Sequence, residues 1–159
     1  MHTILYVGST TNLAYEQELL SEWGKQSIHL ATCNDVTMGA GLAATGTDGL
    51  AVAAPAPDPL RDVAAVVIEQ GTLTADELRR HPELTIVVLL DDKNASVDIA
   101  AATAANVWVA RASNRRILTH LPFGARGASG PTRSTRRHAL QDALAGIYGE
   151  RPSGRVNEL

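Results

Sequence analysis

Two runs in this chain, "AAVVIE" (64–69) and "TIVVLL" (85–90), are apolar at almost every successive position. A strand with one wet face alternates apolar and polar side chains. A strand apolar on both faces has to lie between two covering layers, the situation of a central strand in a parallel sheet flanked by helices. Four more short runs read as strands: "HTILYV" (2–7), "SIHLAT" (27–32), "GLAVAA" (49–54) and "VWVA" (107–110). Between them, 12–24, 35–44, 74–81 and 95–105 read as helices. Asp98 ahead of "IAAATAA" is a helix start, and Thr74 with Glu77 three residues on makes a capping-box pattern. Alternating strands and helices imply right-handed crossovers and an open, doubly wound α/β sheet. Ligands in such sheets bind beyond the carboxyl ends of the strands, so the loops of interest are 8–12, 33–36, 69–73 and 91–95.

The tail has another texture. The stretch from Ala112 to Thr135, "ASNRRILTHLPFGARGASGPTRST", is rich in Gly, Ser, Pro and Arg and reads as loop. A closing helix follows over 132–149, with Ala139, Leu140, Ala143, Leu144 and Ile147 on one face. "RPSGRVNEL" ends the sequence without a pattern. The expected organisation is one domain over 1–159: sheet and helices to 110, a loop over 111–131, and the closing helix.

Composition sets outer bounds. Hydrophobic residues at 45% and charged residues at 19% describe a globular chain, not a disordered one. A net charge of −3 disfavours a general nucleic-acid binder. The single Cys33 can form no internal disulfide and suits a reducing compartment. No charged n-region precedes an apolar run, and no run reaches the roughly 18 residues that span a bilayer, so a soluble cytoplasmic protein is expected. His2, His29, His81 and His138 make no metal-ligand spacing with Cys33, and no metal is expected. Arg111, Arg115, Arg116, Arg126, Arg133, Arg136 and Arg137 fall in a stretch with no acid before Asp142. Such a cluster invites an anion, although solvated loop arginines are the default reading.

The stretch "ILYVGSTTN" (4–12) runs from strand through a hydroxyl-rich loop to a helix start, a setting in which free backbone N–H groups suit an anion. Flavodoxins open in a similar way, with a loop of this kind holding the flavin phosphate. A flavin also needs aromatic side chains in two later loops. Here Tyr6, Tyr15, Trp23, Trp108 and Tyr148 fall in predicted helices and strands, where core packing is the default, so a flavin-binding protein is the least favoured reading. The modest role for Thr11 or Asn12 is to cap the first helix.

The segment "AAVVIEQGTLTADELRRHPELTIVVLLDDKNASVDIAAATAANVWVA" (64–110) resembles the substrate-binding domain of the D-2-hydroxyacid dehydrogenases, with 71–78, 81–88 and 97–109 following that family's motif order without gaps. The tail "RILTHLPFGARG…TRSTRRHALQDALAGIYGERPSGRVNEL" resembles the family's closing strand, histidine-bearing loop, last helix and "G-E-x-P-x-x-x-V-N" end. The resemblance implies a flavodoxin-like fold. In the family a Rossmann coenzyme domain lies between the two matching segments, whereas here only six residues separate Ala110 from Ile117. The family's coenzyme fingerprint, its substrate-carboxylate arginine and the acid that pairs with its catalytic histidine belong to that domain. The string "GAGLAA" (39–44) matches G-x-G-x-x-A but follows no predicted strand, and reads as helix or turn. No cofactor is therefore expected, and hydride transfer is not.

The resemblance places the remaining candidates. His120, in "THLP" where the family has Thr-Pro-His, stands near the catalytic histidine and implies an acid or base role. Asp91, Asp92 and Lys93 occupy the family's Gly-x-Gly loop, which meets the substrate carboxylate. The two acids offer a base or a ligand pair and Lys93 a substitute cation, against the plainer reading of a solvated turn. Gln70, Gly71 and Thr72 match the other substrate-side loop, and Ser9, Thr10, Asn94 and Arg116 complete the expected binding set. Two functions stay open. One is a cofactor-independent protein acting on a small oxo, hydroxy or carboxylic acid, as an isomerase, cyclase, lyase or hydrolase. The other is a catalytically silent ligand-binding or partner-stabilising module. In either case a homodimer or a protein partner is expected to cover the face the coenzyme domain would occupy.

Overall fold

The computed structural model describes residues 1–9, 12–34, 62–91, 93–112 and 131–159. The strand expected at 49–54, the helix expected at 35–44 with the string at 39–44, and the loop at 113–130 lie outside the described residues.

Among the described residues five strands build the main sheet: β1 (His2–Val7), β2 (Ile28–Cys33), β3 (Val63–Ile68), β5 (Ile86–Leu89) and β7 (Trp108–Arg111). Their order is β2-β1-β3-β5-β7 and every pair is parallel. Counted within this sheet, that is the 2-1-3-4-5 order of the flavodoxin-like doubly wound fold, in which the chain reverses direction across the sheet between β1 and β3.

The double-faced apolar runs behave as their composition requires. All six residues of β3 and all four of β5 are buried. Ile4, Tyr6, Ala65, Val67, Ile86 and Val88 face α1 (Ala14–Glu22) and the closing helix α4 (Arg133–Ile147), meeting Leu19, Leu20, Leu140 and Leu144. Leu5, Val7, Val66, Ile68, Val87 and Leu89 face the other way, onto Leu78 of α2 (Ala75–Arg80) and Ala102 of α3 (Ile99–Ala104). Each fully buried Val, Leu or Ile contributes about 1.5–3 kcal/mol, so the sheet between two helical layers dominates the stability. The closing helix sits directly on the sheet at Gly146, where a Cβ would lie 2.5 Å from the Ile86 Cβ.

The helix starts follow their capping residues. The Glu77 N–H donates to Thr74 Oγ1 at 3.4 Å while the Thr74 N–H donates to Glu77 Oε2 at 2.7 Å, both arms of a capping box. Asp98 accepts from the Ala101 N–H at 2.9 Å, and Thr132 accepts from the Thr135 N–H at 3.2 Å at the head of α4.

One expected helix begins too early. Residues Ala95–Val97 form a strand, β6, rather than the first turn of a helix over 95–105. They pair in parallel with β4 (Gly71–Leu73), inside a stretch expected to be loop. The cause is local alternation: Leu73 and Ala95 are buried, while Thr72 and Ser96 turn outward with their hydroxyls 2.8 Å apart. Three residues are too few for a period to show in the sequence, and α3 starts only past its cap at Asp98.

The patternless C-terminal run is also ordered. It straps the β7 edge: Arg111 N–H donates to Gly154 O at 2.8 Å and Val156 N–H to Val109 O at 2.6 Å. Buried Asn157 accepts from Val109 N–H at 2.7 Å and donates to Val107 O at 2.9 Å and Thr103 Oγ1 at 3.0 Å. Buried Asp142 of α4 accepts from the Ser153 N–H, the Ser153 hydroxyl and the Gly154 N–H.

Candidate functional site

At the point where the strand order reverses, the loops leaving β1 and β3 touch. Gly8 (φ +136°) allows this, since a Cβ there would lie 2.8 Å from the Glu69 Cβ. Glu69 N–H donates to Val7 O at 2.8 Å, and the Ser9 hydroxyl donates to Glu69 Oε1 at 2.9 Å. Ser9 thus stands at the switch point, with its proton directed to a carboxylate.

The loop after β5 joins the row. Gly71, at φ +118°, donates its N–H to Asn94 O at 2.9 Å, so the 69–72 and 91–95 loops are hydrogen-bonded neighbours. Asp91 organises the second of these. Its Oδ1 accepts from the Lys93 N–H at 2.9 Å, its Oδ2 from the Asn94 side-chain amide at 2.8 Å, and its carbonyl from the Ala95 N–H at 3.0 Å. This is an Asx turn built on both carboxylate oxygens. Lys93, Asn94 and Gln70 are exposed. Thr72 is displaced from the row: its hydroxyl meets Ser96 on the outer side of the β4–β6 pair.

Of the expected site residues, Ser9, Gln70, Gly71, Asp91, Lys93 and Asn94 therefore fall on three adjoining loops, and Thr72 stands beside them. Thr10, Asp92, Arg116 and His120 lie outside the described residues. Glu69 is not among the residues the sequence points to. Its signal was available: an acid closing an apolar strand, beside the strand that precedes Gly8-Ser9 once β1 and β3 are neighbours.

The arginine cluster has a different use for three of its members. Arg136 makes a two-pronged ion pair with Glu16 of α1, Nε to Oε1 at 2.6 Å and Nη2 to Oε2 at 2.5 Å; the Glu16 side chain is fully buried. Arg133 and Arg136 stand over the Tyr15 ring, 5.5 and 5.8 Å from its centroid, and Arg137 stands 5.7 Å from that of Trp23. Such cation–π contacts bind the cations to α1. The N-cap of α1 is Leu13, which makes no side-chain cap, in place of the cap expected at Thr11 or Asn12; one residue ahead, Asn12 Oδ1 accepts from the Ala14 N–H at 3.0 Å. Tyr6, Tyr15, Trp23 and Trp108 pack on or within the first core cluster. The Tyr6 hydroxyl is buried with no hydrogen-bond partner among the described residues. Burial, aided by the nearby Glu16 charge, raises its pKa far above the ordinary phenol value.

These loops at the carboxyl ends of a 2-1-3-4-5 sheet place the protein in the class of flavodoxin-like α/β folds with a polar switch point. No protein-family model matches the sequence, and no curated protein matches it. The solved structures similar to it include D-2-hydroxyacid dehydrogenase family members. An NAD-dependent formate dehydrogenase from Staphylococcus aureus matches at 13% identity and TM-score 0.44, over 70% of this chain and 31% of that one. Salmonella D-lactate dehydrogenase matches at 19% identity and TM-score 0.44, over 70% and 29% respectively. A D-lactate dehydrogenase from Lactobacillus jensenii matches at 11% identity and TM-score 0.36, over 99% of this chain and 56% of that one. The chain spans about a third of the first of these. Strand order and register, rather than these likenesses, define the fold. Among the described residues no helix is long and apolar enough to cross a membrane.

Proposed function

We propose that this chain binds a small oxo, hydroxy or carboxylic acid at the β1/β3 switch point, without a nicotinamide. The observation that carries the reading is the joining of three polar loops by the Ser9–Glu69 and Gly71–Asn94 hydrogen bonds, where ligands enter sheets of this order. The sequence resemblance to the D-2-hydroxyacid dehydrogenase substrate-binding domain supports the choice of an acid. Lys93 supplies the cation for the ligand carboxylate, the Gln70 amide donates to a ligand oxygen, and the Asn94 side-chain carbonyl accepts from a ligand hydroxyl. Asp91 holds the turn that presents Lys93. The acid–base role belongs to His120, and the chemistry is of the isomerase, cyclase, lyase or hydrolase type.

A second reading is a binding module without turnover, either for the same ligand or in support of a protein partner or second copy. It is favoured by one observation: both oxygens of Asp91 are committed to its own loop. His120→Ala separates the two, abolishing turnover with binding retained if the chain is an enzyme.

The reading is tested by thermal shift of the purified chain against 2-oxo, 2-hydroxy and phosphorylated acids, NADH and FMN. A ligand at about 100 times its Kd stabilises by about 2.7 kcal/mol, a rise of roughly 5–10 °C in a chain of this size. A rise with an acid and none with NADH supports it. A rise with NADH contradicts it, a rise with FMN revives the flavin alternative, and no rise with any of them removes the acid ligand.

A further inference from the structure

We infer that Arg136 is the positioning residue of the β1–α1 loop, holding the chain around Asn12 in register with the switch point. One guanidinium makes three bonds: Nε to Glu16 Oε1 at 2.6 Å, Nη2 to Glu16 Oε2 at 2.5 Å, and Nη2 to the Asn12 carbonyl at 2.7 Å. The first two tie α4 to α1. The third does not serve helix adhesion, because the Asn12 carbonyl lies ahead of the helix.

Three features make this a device for geometry. Asn12 is held from both sides, its carbonyl by Arg136 and its side chain by the Ala14 N–H at 3.0 Å. The Glu16 side chain is fully buried and that of Arg136 is 19% exposed, so the fork works where water does not compete. A pair of apolar side chains would hold two helices together at least as well as a buried ion pair does, whereas a planar fork also fixes direction. Arg136 lies in the first turns of α4, so the helix that closes the sheet also holds the residue that leads into α1. The inference does not depend on which ligand the cleft takes.

The experiment is amide hydrogen–deuterium exchange of the unliganded full chain, read by mass spectrometry on peptides covering 8–17, 63–68, 86–89 and 139–147. Wild type is compared with Arg136→Met, Arg136→Lys and the double variant Glu16→Gln/Arg136→Met. In Arg136→Met the stranded Glu16 charge lowers global stability, so exchange rises at all four peptides; in the double variant the 8–17 peptide is expected to exchange about tenfold faster than in wild type while the β3 and β5 peptides hold. Arg136→Lys should fall between, since an ammonium reaches the carboxylate but cannot reproduce the fork. The double variant removes the unpaired buried charge and keeps the test available if Arg136→Met does not fold. It should recover melting temperature but not protection at 8–17, because the Asn12 carbonyl still lacks its donor. Wild-type exchange at 8–17 in the double variant, or an increase there no greater than at the other three peptides, would overturn the inference. The absence of any bound acid in ligand screens leaves this outcome untouched.

Discussion

Gly8 and Glu69 are packed so closely that any side chain on Gly8 would collide with the Glu69 Cβ, 2.8 Å from the position of its own Cβ. This contact joins the first and third strands of the chain at the point where the sheet reverses, and it brings the Ser9 hydroxyl onto the Glu69 carboxylate.

Gly8→Ala should therefore lower stability by about 2–4 kcal/mol, combining a positive φ with overpacking. Gly24→Ala is the control. Gly24 has φ +66°, but a methyl group there would meet no described residue within 4 Å, so only the conformational cost of about 1–2 kcal/mol applies. Urea denaturation of the two variants should separate them, and equal losses would mean that the Gly8–Glu69 contact yields at no cost.

Tyr6→Phe should stabilise the protein. The Tyr6 hydroxyl is buried with no partner among the described residues, so removing it relieves a desolvation cost of about 1–2 kcal/mol. The pH dependence has a definite sign. The folded-state pKa is raised above the ordinary value of 10.0, by burial first and the Glu16 charge second. The unfolded chain thus releases this proton first, and stability is lost as pH rises beyond about 10. Tyr6→Phe should flatten that alkaline loss, as measured by urea midpoints at pH 8 and above 10; an unchanged slope would place the loss on other groups.

Arg136→Met should destabilise by about 3–5 kcal/mol, because it strands the buried Glu16 carboxylate. The double variant Glu16→Gln/Arg136→Met should recover much of that. Chemical denaturation of single and double variants gives the coupling directly, and additive losses would mean the two residues act independently.

Asn157→Ala should cost about 2–3 kcal/mol, since it leaves the Val109 N–H and Val107 carbonyl of the β7 edge without their partner. The loss should appear as faster amide exchange at 107–111, and unchanged protection there would show that the strap is replaceable by water.

The elements with strong physical signals were legible in the sequence. Uninterrupted apolar runs at β3 and β5 announced a doubly covered sheet, and the Thr74–Glu77 capping box marked a helix start; Asp98 caps the helix that the pattern began at 95. Weak or long-range signals were not legible. The β4–β6 pair is three residues a side, below any readable period, and its pairing joins segments over twenty residues apart. The Asn157 clamp and the Glu16–Arg136 fork depend on packing between distant segments, so a run of arginines reads as solvated loop residues, or as an invitation to an anion, when Arg136 is spent on a buried acid. At the site, Ser9, Gly71 and Asn94 were readable from loop position, but Glu69 became visible only once β1 and β3 were neighbours. Asp91 was readable as part of a turn, the plainer reading of its loop, but not that both its oxygens are taken by Lys93 and Asn94.

The most direct test of the central claim, an acid-binding cleft at the switch point, is an amide chemical-shift titration of the ¹⁵N-labelled chain with the acid that gives the largest thermal shift. The account predicts that the saturable shifts cluster at Ser9, Gln70, Gly71, Lys93 and Asn94, and that Lys93→Met weakens the titration at least about tenfold, the value of one charge-assisted hydrogen bond. Shifts that cluster on the α1–α4 face or at the β7 strap, with Lys93→Met binding as wild type does, would contradict it.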